Sequence, residues 1–153
     1  MLLIGLLYAC TAAPTADVRP VTAVQAYRAV HSKSDMVRVA SLWAMWCGPC
    51  LTEVEALRTL GTEQAAVALI NVDTPSEYDR RVAPWSLERD WVDASRYRLT
   101  ERDPMNALSS SWPGWHGALP YTEIIAKDGS ICERFTRAVS RTELLEAIER
   151  CSD

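Results

Sequence analysis

Apolar residues recur with several periods along this chain of 153 residues. From Asp35 to Ala44, and again from Ala65 to Val72, they run almost without interruption. Short continuous apolar runs of this kind predict strands covered on both faces. Between the two runs, Leu51, Val54, Leu57 and Leu60 recur every third residue from Pro49 onward, and Gly61 supplies a stop, which predicts an amphipathic helix. Val21 to about Ser32 reads as a short helix with Val24, Tyr27, Ala29 and Val30 as its apolar positions. Pro75 to Asp93 is mixed and partly helical, with Val82, Trp85 and Trp91 as apolar contacts; Tyr97 to Leu99 is a brief strand. Pro104 to Trp112 is a short helix capped by Asp103. Tyr121–Ala126 and Ser130–Phe135 flank Asp128-Gly129, a strong hairpin signal. Ser140 to Cys151 closes the chain as a helix, with Ser140 and Glu143 as a capping box and Leu144, Leu145 and Ile148 as its core face. Strand–helix–strand followed by hairpin–helix predicts an α/β sandwich, a central mixed β-sheet flanked by helices.

The length suits one domain, assigned to residues 21–153, and 48% apolar with 24% charged residues is ordinary for a globular protein. The net charge of −4 leaves no basic footprint, so nucleic acid is not an expected partner. Residues 1–20 read as a leader. Leu2 to Leu7 is a short apolar block, followed by Tyr8-Ala9-Cys10 and then small and polar residues. This is far too short to span a bilayer. It resembles the end of a bacterial lipoprotein signal peptide, although no Lys or Arg precedes the block and Tyr8 is large where a small residue is usual. That resemblance implies lipid on Cys10, a tether from Thr11 to about Pro20 and a periplasmic location in which a lipid anchor is the only membrane contact; a plain tail is the alternative.

The chemistry concentrates at Trp46-Cys47-Gly48-Pro49-Cys50, between the first apolar run and the helix. Residues i and i+3 in a first helical turn share a face, so the two sulfurs are placed to meet. The free N–H groups and positive dipole end of that helix favour a thiolate at the first cysteine. Cys47 is therefore the expected nucleophile and Cys50 the resolving thiol. A Cys-x-x-Cys is also half of a zinc site, but Cys10, Cys132 and Cys151 form no second pair, His31 and His116 are isolated, and Pro49 suits a helix start. No metal or cofactor is implied. Cys132 and Cys151 are expected as two separate buried thiols, with a bridge between them as the alternative in an oxidising compartment.

Trp43-Ala-Met-Trp46-Cys47-Gly48-Pro49-Cys50, Leu119-Pro120-Tyr121-Thr122, Asn71-Val72-Asp73 and Lys127-Asp128-Gly129 together resemble the thioredoxin-like fold. Within it, they resemble the TlpA/ResA-type periplasmic thiol–disulfide oxidoreductases, over roughly Val37 to Ile148. The resemblance implies a cis Leu119–Pro120 bond beside the cysteines and a substrate groove bordered by Trp46, Gly48, Pro49, Leu119 and Pro120. It also implies that Glu53 handles protons at the dithiol, against the plainer reading of a solvated carboxylate. Three positions depart from the pattern. Ser41 stands where thioredoxins keep a buried aspartate, which removes that proton relay. Glu55 replaces a common proline, so the helix is expected to run straighter. Glu123 falls where a large apolar residue is usual; it is expected to point outward, and an inward carboxyl with a raised pKa is the alternative. Trp112, Trp115 and His116 offer one wall of the groove, and His116 is also weighed as a stabiliser of the thiolate and as a plain loop residue. Trp43 is expected in the core. The implied reaction is dithiol–disulfide exchange on protein disulfides, by a monomer recharged from a membrane-embedded donor. Gly-Pro between the cysteines points to a reductase by analogy with thioredoxin. A disulfide oxidase or isomerase and a lipid-anchored binding module are the rivals.

Overall fold

The computed structural model describes residues 17–60, 64–91 and 94–152; Cys10 and Gly61 lie outside them. Six strands form one sheet in the order β1-β4-β3-β2-β5-β6. The two apolar runs become β2 (Arg38–Trp43) and β3 (Ala66–Asn71), parallel neighbours at its centre, each buried from the second residue on. Helix α1 (Ala23–Val30) precedes β2, and α2 (Gly48–Arg58) links β2 to β3. After β3 the chain winds through α3 (Pro75–Glu77), a π-helical turn (Tyr78–Val82) and α4 (Ala83–Leu87). It returns as β4 (Ser95–Leu99), parallel to β3, and continues into α5 (Pro104–Ser111). The hairpin β5 (Tyr121–Ile125) and β6 (Ile131–Phe135) then adds antiparallel to β2, and α6 (Arg141–Arg150) ends the fold.

The local signals act as their chemistry dictates. Asp103 caps α5, and the Ser140–Glu143 capping box opens α6. Gly129 turns the hairpin at φ 91°; a Cβ there would sit 2.2 Å from the His31 carbonyl oxygen, so only glycine fits. α2 ends at Arg58 with Thr59 as its C-cap, before Gly61.

Two expectations change. Val18–Pro20, read as the end of a tether, belong to β1 (Val18–Val21), which pairs parallel with β4. Four half-polar residues carry no strand periodicity, and only the partner edge makes them a strand. Cys132 on β6 and Cys151 after α6 are joined in a disulfide, with Cα atoms 6.0 Å apart, rather than being separate thiols. Cys132 lies on an exposed edge position, so the expected burial fails on that side too. Among the described residues no helix is long and apolar enough to cross a membrane.

Candidate active site

β2 delivers the chain to a tight turn at the carboxyl end of the sheet, and α2 leads away from it. Cys47 is the N-cap of α2: its Sγ accepts from the Cys50 N–H at 3.3 Å, and its own N–H donates to the Ala44 carbonyl at 3.1 Å. Pro49 sits in the first turn, where its missing N–H costs nothing. Cys47 and Cys50 are joined in a disulfide with Cα atoms 5.2 Å apart. Cys47 keeps 6% of its surface and Cys50 none, so the first cysteine is the one open to an incoming sulfur. Gly48 and Pro49 are exposed, and Trp46 is 58% exposed beside them, a large apolar surface next to Cys47. Trp43 lies in the core.

The Leu119–Pro120 peptide is cis. Leu42 pairs with Tyr121 across β2 and β5, so Pro120 emerges at the sheet end from which β2 leads to Cys47. Leu119 is half-buried and Pro120 buried.

Glu53 is not a solvated carboxylate. It is 1% exposed on the inner face of α2, one turn beyond Cys50. The cross-strand neighbours Ser41 and Thr122 both donate to its Oε1, Ser41 from 3.4 Å, and the Val139 N–H donates to Oε2 at 3.1 Å. Burial pushes the carboxyl above its usual range, and these hydrogen bonds only partly offset it. A carboxyl from the helix therefore meets Ser41, where an acid on the strand is missing. Glu55 stays in α2 as an ion-pair partner of Arg58 and Arg89, with no break in the helix.

Glu123 corrects the outward expectation. It is wholly buried, on the opposite face of β5 from Thr122 and Glu53, so it does not replace the missing aspartate. Nor is its pKa raised: burial alone would lift it, but hydrogen bonds from His31, Tyr121 and Arg134 outweigh that and hold it low. Trp112 and Trp115 are buried rather than lining a groove wall, since the indole N–H of one donates to Glu123 and that of the other to the Ala118 carbonyl. His116 is exposed on the loop between them and Pro120.

Asp73, which the sequence offers only within Asn71-Val72-Asp73, joins the candidate site. Buried after β3, it accepts the Met45 N–H at 2.7 Å and the Asn71 amide at 2.8 Å. The turn before Cys47 thus hangs from a carboxylate just beyond the end of the neighbouring strand. Its one sequence signal is the polar pair Asn71 and Asp73 in an apolar run.

No protein-family model matches the chain, and no curated protein matches it. Solved structures do. A DsbF homologue from Corynebacterium diphtheriae superposes with a TM-score of 0.60 at 21% identity, covering 80% of this chain and 75% of that one. A thioredoxin-related protein from Neisseria meningitidis serogroup B gives 0.59 at 25% identity, covering 78% and 87%. The exposed lipoprotein thioredoxin of Streptococcus pneumoniae gives 0.57 at 15%, covering 81% and 89%. The fold is thioredoxin-like.

Proposed function

We propose that this protein is an extracytoplasmic thiol–disulfide oxidoreductase of the TlpA/ResA type that reduces protein disulfides. The observation that carries this is the Cys47–Cys50 disulfide at the start of α2, with Cys47 outermost and Glu53 buried one turn further on. In the reduced protein the helix start favours a Cys47 thiolate. It attacks a client disulfide; a Cys47–client bond forms and the client's other sulfur leaves as a thiolate. Cys50 then loses its proton toward Glu53, whose burial raises its pKa and with it the carboxylate's readiness to take one up. The Cys50 thiolate attacks Cys47 Sγ, the internal disulfide closes, and the client departs with both sulfurs reduced. An external dithiol, in this reading a membrane-embedded donor, restores the starting state. Trp46, Gly48, Pro49, Leu119 and Pro120 border the groove that takes the client chain. Two disulfides on one small domain fit an oxidising compartment, and a lipid on Cys10 would hold a monomer at the membrane surface.

Direction is tested by the midpoint potential of the Cys47–Cys50 couple together with reduction of insulin disulfides. A reductase requires a potential more negative than about −200 mV and catalysed reduction of insulin. A more positive potential with catalysed oxidation of reduced proteins would make it an oxidase or isomerase. A Cys47→Ser variant that retained full activity in the cell would make it a binding module.

A further inference from the structure

Glu123 carries a second arrangement, on the sheet face away from α2. Four groups from four elements converge on its two carboxylate oxygens. The Tyr121 hydroxyl donates to Oε1 at 2.7 Å, and Arg134 Nε lies 3.3 Å from the same oxygen. His31 Nε2, at the end of α1, is 2.9 Å from Oε2, and the Trp112 indole N–H donates to it at 3.1 Å. His31 is held in turn by the Tyr27 carbonyl at 2.8 Å. A buried charge so satisfied is weak evidence for stability, because a well-packed apolar substitute is often as good or better. What such a network fixes is geometry.

The geometry it fixes is that of one loop. Trp112 is the last residue before residues 113–120, and Tyr121 is the first after them. Both ends are therefore tied to one carboxylate. Arg134 makes a third attachment: a Cβ on Gly114 would stand 3.1 Å from its guanidinium carbon, so the arginine lies flat against the loop backbone. Within the loop, the Trp115 indole holds the Ala118 carbonyl at 2.8 Å. The segment so clasped ends in cis Pro120, at the sheet end where Cys47 sits.

We propose that Glu123 is a positioning residue, the clasp that holds the Pro120 loop in the shape that receives a client polypeptide. This rests on the exchange reading above. A small disulfide such as that of glutathione carries only two peptide bonds on each sulfur's side, too few to lie along the loop, so the clasp matters to protein clients and much less to the chemistry of the sulfurs. The test compares the reduced wild type with Glu123→Gln, and with Tyr121→Phe, which removes a single hydroxyl. Each is assayed with insulin and with glutathione disulfide, and by hydrogen exchange. We expect KM for insulin to rise roughly tenfold in Glu123→Gln, with a smaller change in kcat, as misplacement of a binding surface does. The same direction and a smaller size are expected in Tyr121→Phe. The midpoint potential should stay put, and exchange should quicken in residues 114–119 while α2 is unchanged. Equal losses toward both disulfides, a shifted potential, exchange raised throughout the core, or no change in either variant would overturn the clasp. A wild type inert toward both disulfides would instead overturn the exchange reading, and the clasp with it.

Discussion

Glu53 and Glu123 lie on opposite faces of the sheet, both buried, and their surroundings push them in opposite directions. Glu53 has three hydrogen-bond donors and a covered position, and its carboxyl is raised; Glu123 has four partners, the guanidinium of Arg134 among them, and is lowered. The signs on stability follow from linkage. Glu53 binds its proton more tightly folded than unfolded. Its burden is therefore absent below the unfolded value of 4.5, appears as pH rises through the window up to the raised folded value, and persists above it. Glu123 contributes stability above 4.5 that is lost as pH falls through its lowered folded value. Glu53→Gln should therefore raise the melting temperature at pH 7 and give no gain below about pH 4. The amide oxygen can take the Val139 N–H while the Ser41 and Thr122 hydroxyls turn to accept. The same variant should slow closure of the Cys47–Cys50 disulfide after client attack. Melting curves across pH and single-turnover quenching read the two effects. Asp73 acts by geometry instead. Asp73→Ala strands the half-buried Met45 N–H and the buried Asn71 amide, and should cost about 2 kcal/mol in chemical denaturation.

At the scale of elements, the periodic ones are legible in the sequence itself. The two central strands, α2, α5 with its Asp103 cap, the Asp128-Gly129 hairpin and α6 with its capping box all stand where their local patterns place them, because each signal is made by neighbours in sequence. What local patterns do not carry is contact between distant segments. β1 exists through β4, the Cys132–Cys151 bridge through the packing of α6 beside the hairpin edge, and the burial of Glu123 through a histidine 92 residues away. The candidate site divides the same way. Cys47, Cys50 and the cis bond before Pro120 were legible from a motif, whereas Thr122, Val139 and Asp73 join the site only through space. The bridge makes its own prediction. It closes a loop with a sequence separation of 19, so replacing both cysteines by alanine should cost about 3 kcal/mol and lower the melting temperature by roughly 10 °C. Exchange through Cys47 and Cys50 should survive. Calorimetry of the double variant beside an insulin assay checks both.

On the scale of the whole molecule, the sheet separates two tasks. The α2 face carries the sulfurs and the acid beneath them; the opposite face carries the carboxylate that grips the Pro120 loop. β5 joins them, with Thr122 turned to Glu53 and Glu123 turned to Trp112 and His31. A client chain would meet both at the end of the sheet, where Trp46 precedes Cys47 and the Pro120 loop enters β5. The most direct test is a Cys50→Ala trap, expressed from the full sequence and recovered under acid quench with thiols blocked. Client proteins are expected bound covalently through Cys47, released by dithiothreitol and absent from a Cys47→Ala, Cys50→Ala control. A trap that captures nothing, or adducts that persist without Cys47, would contradict exchange through Cys47.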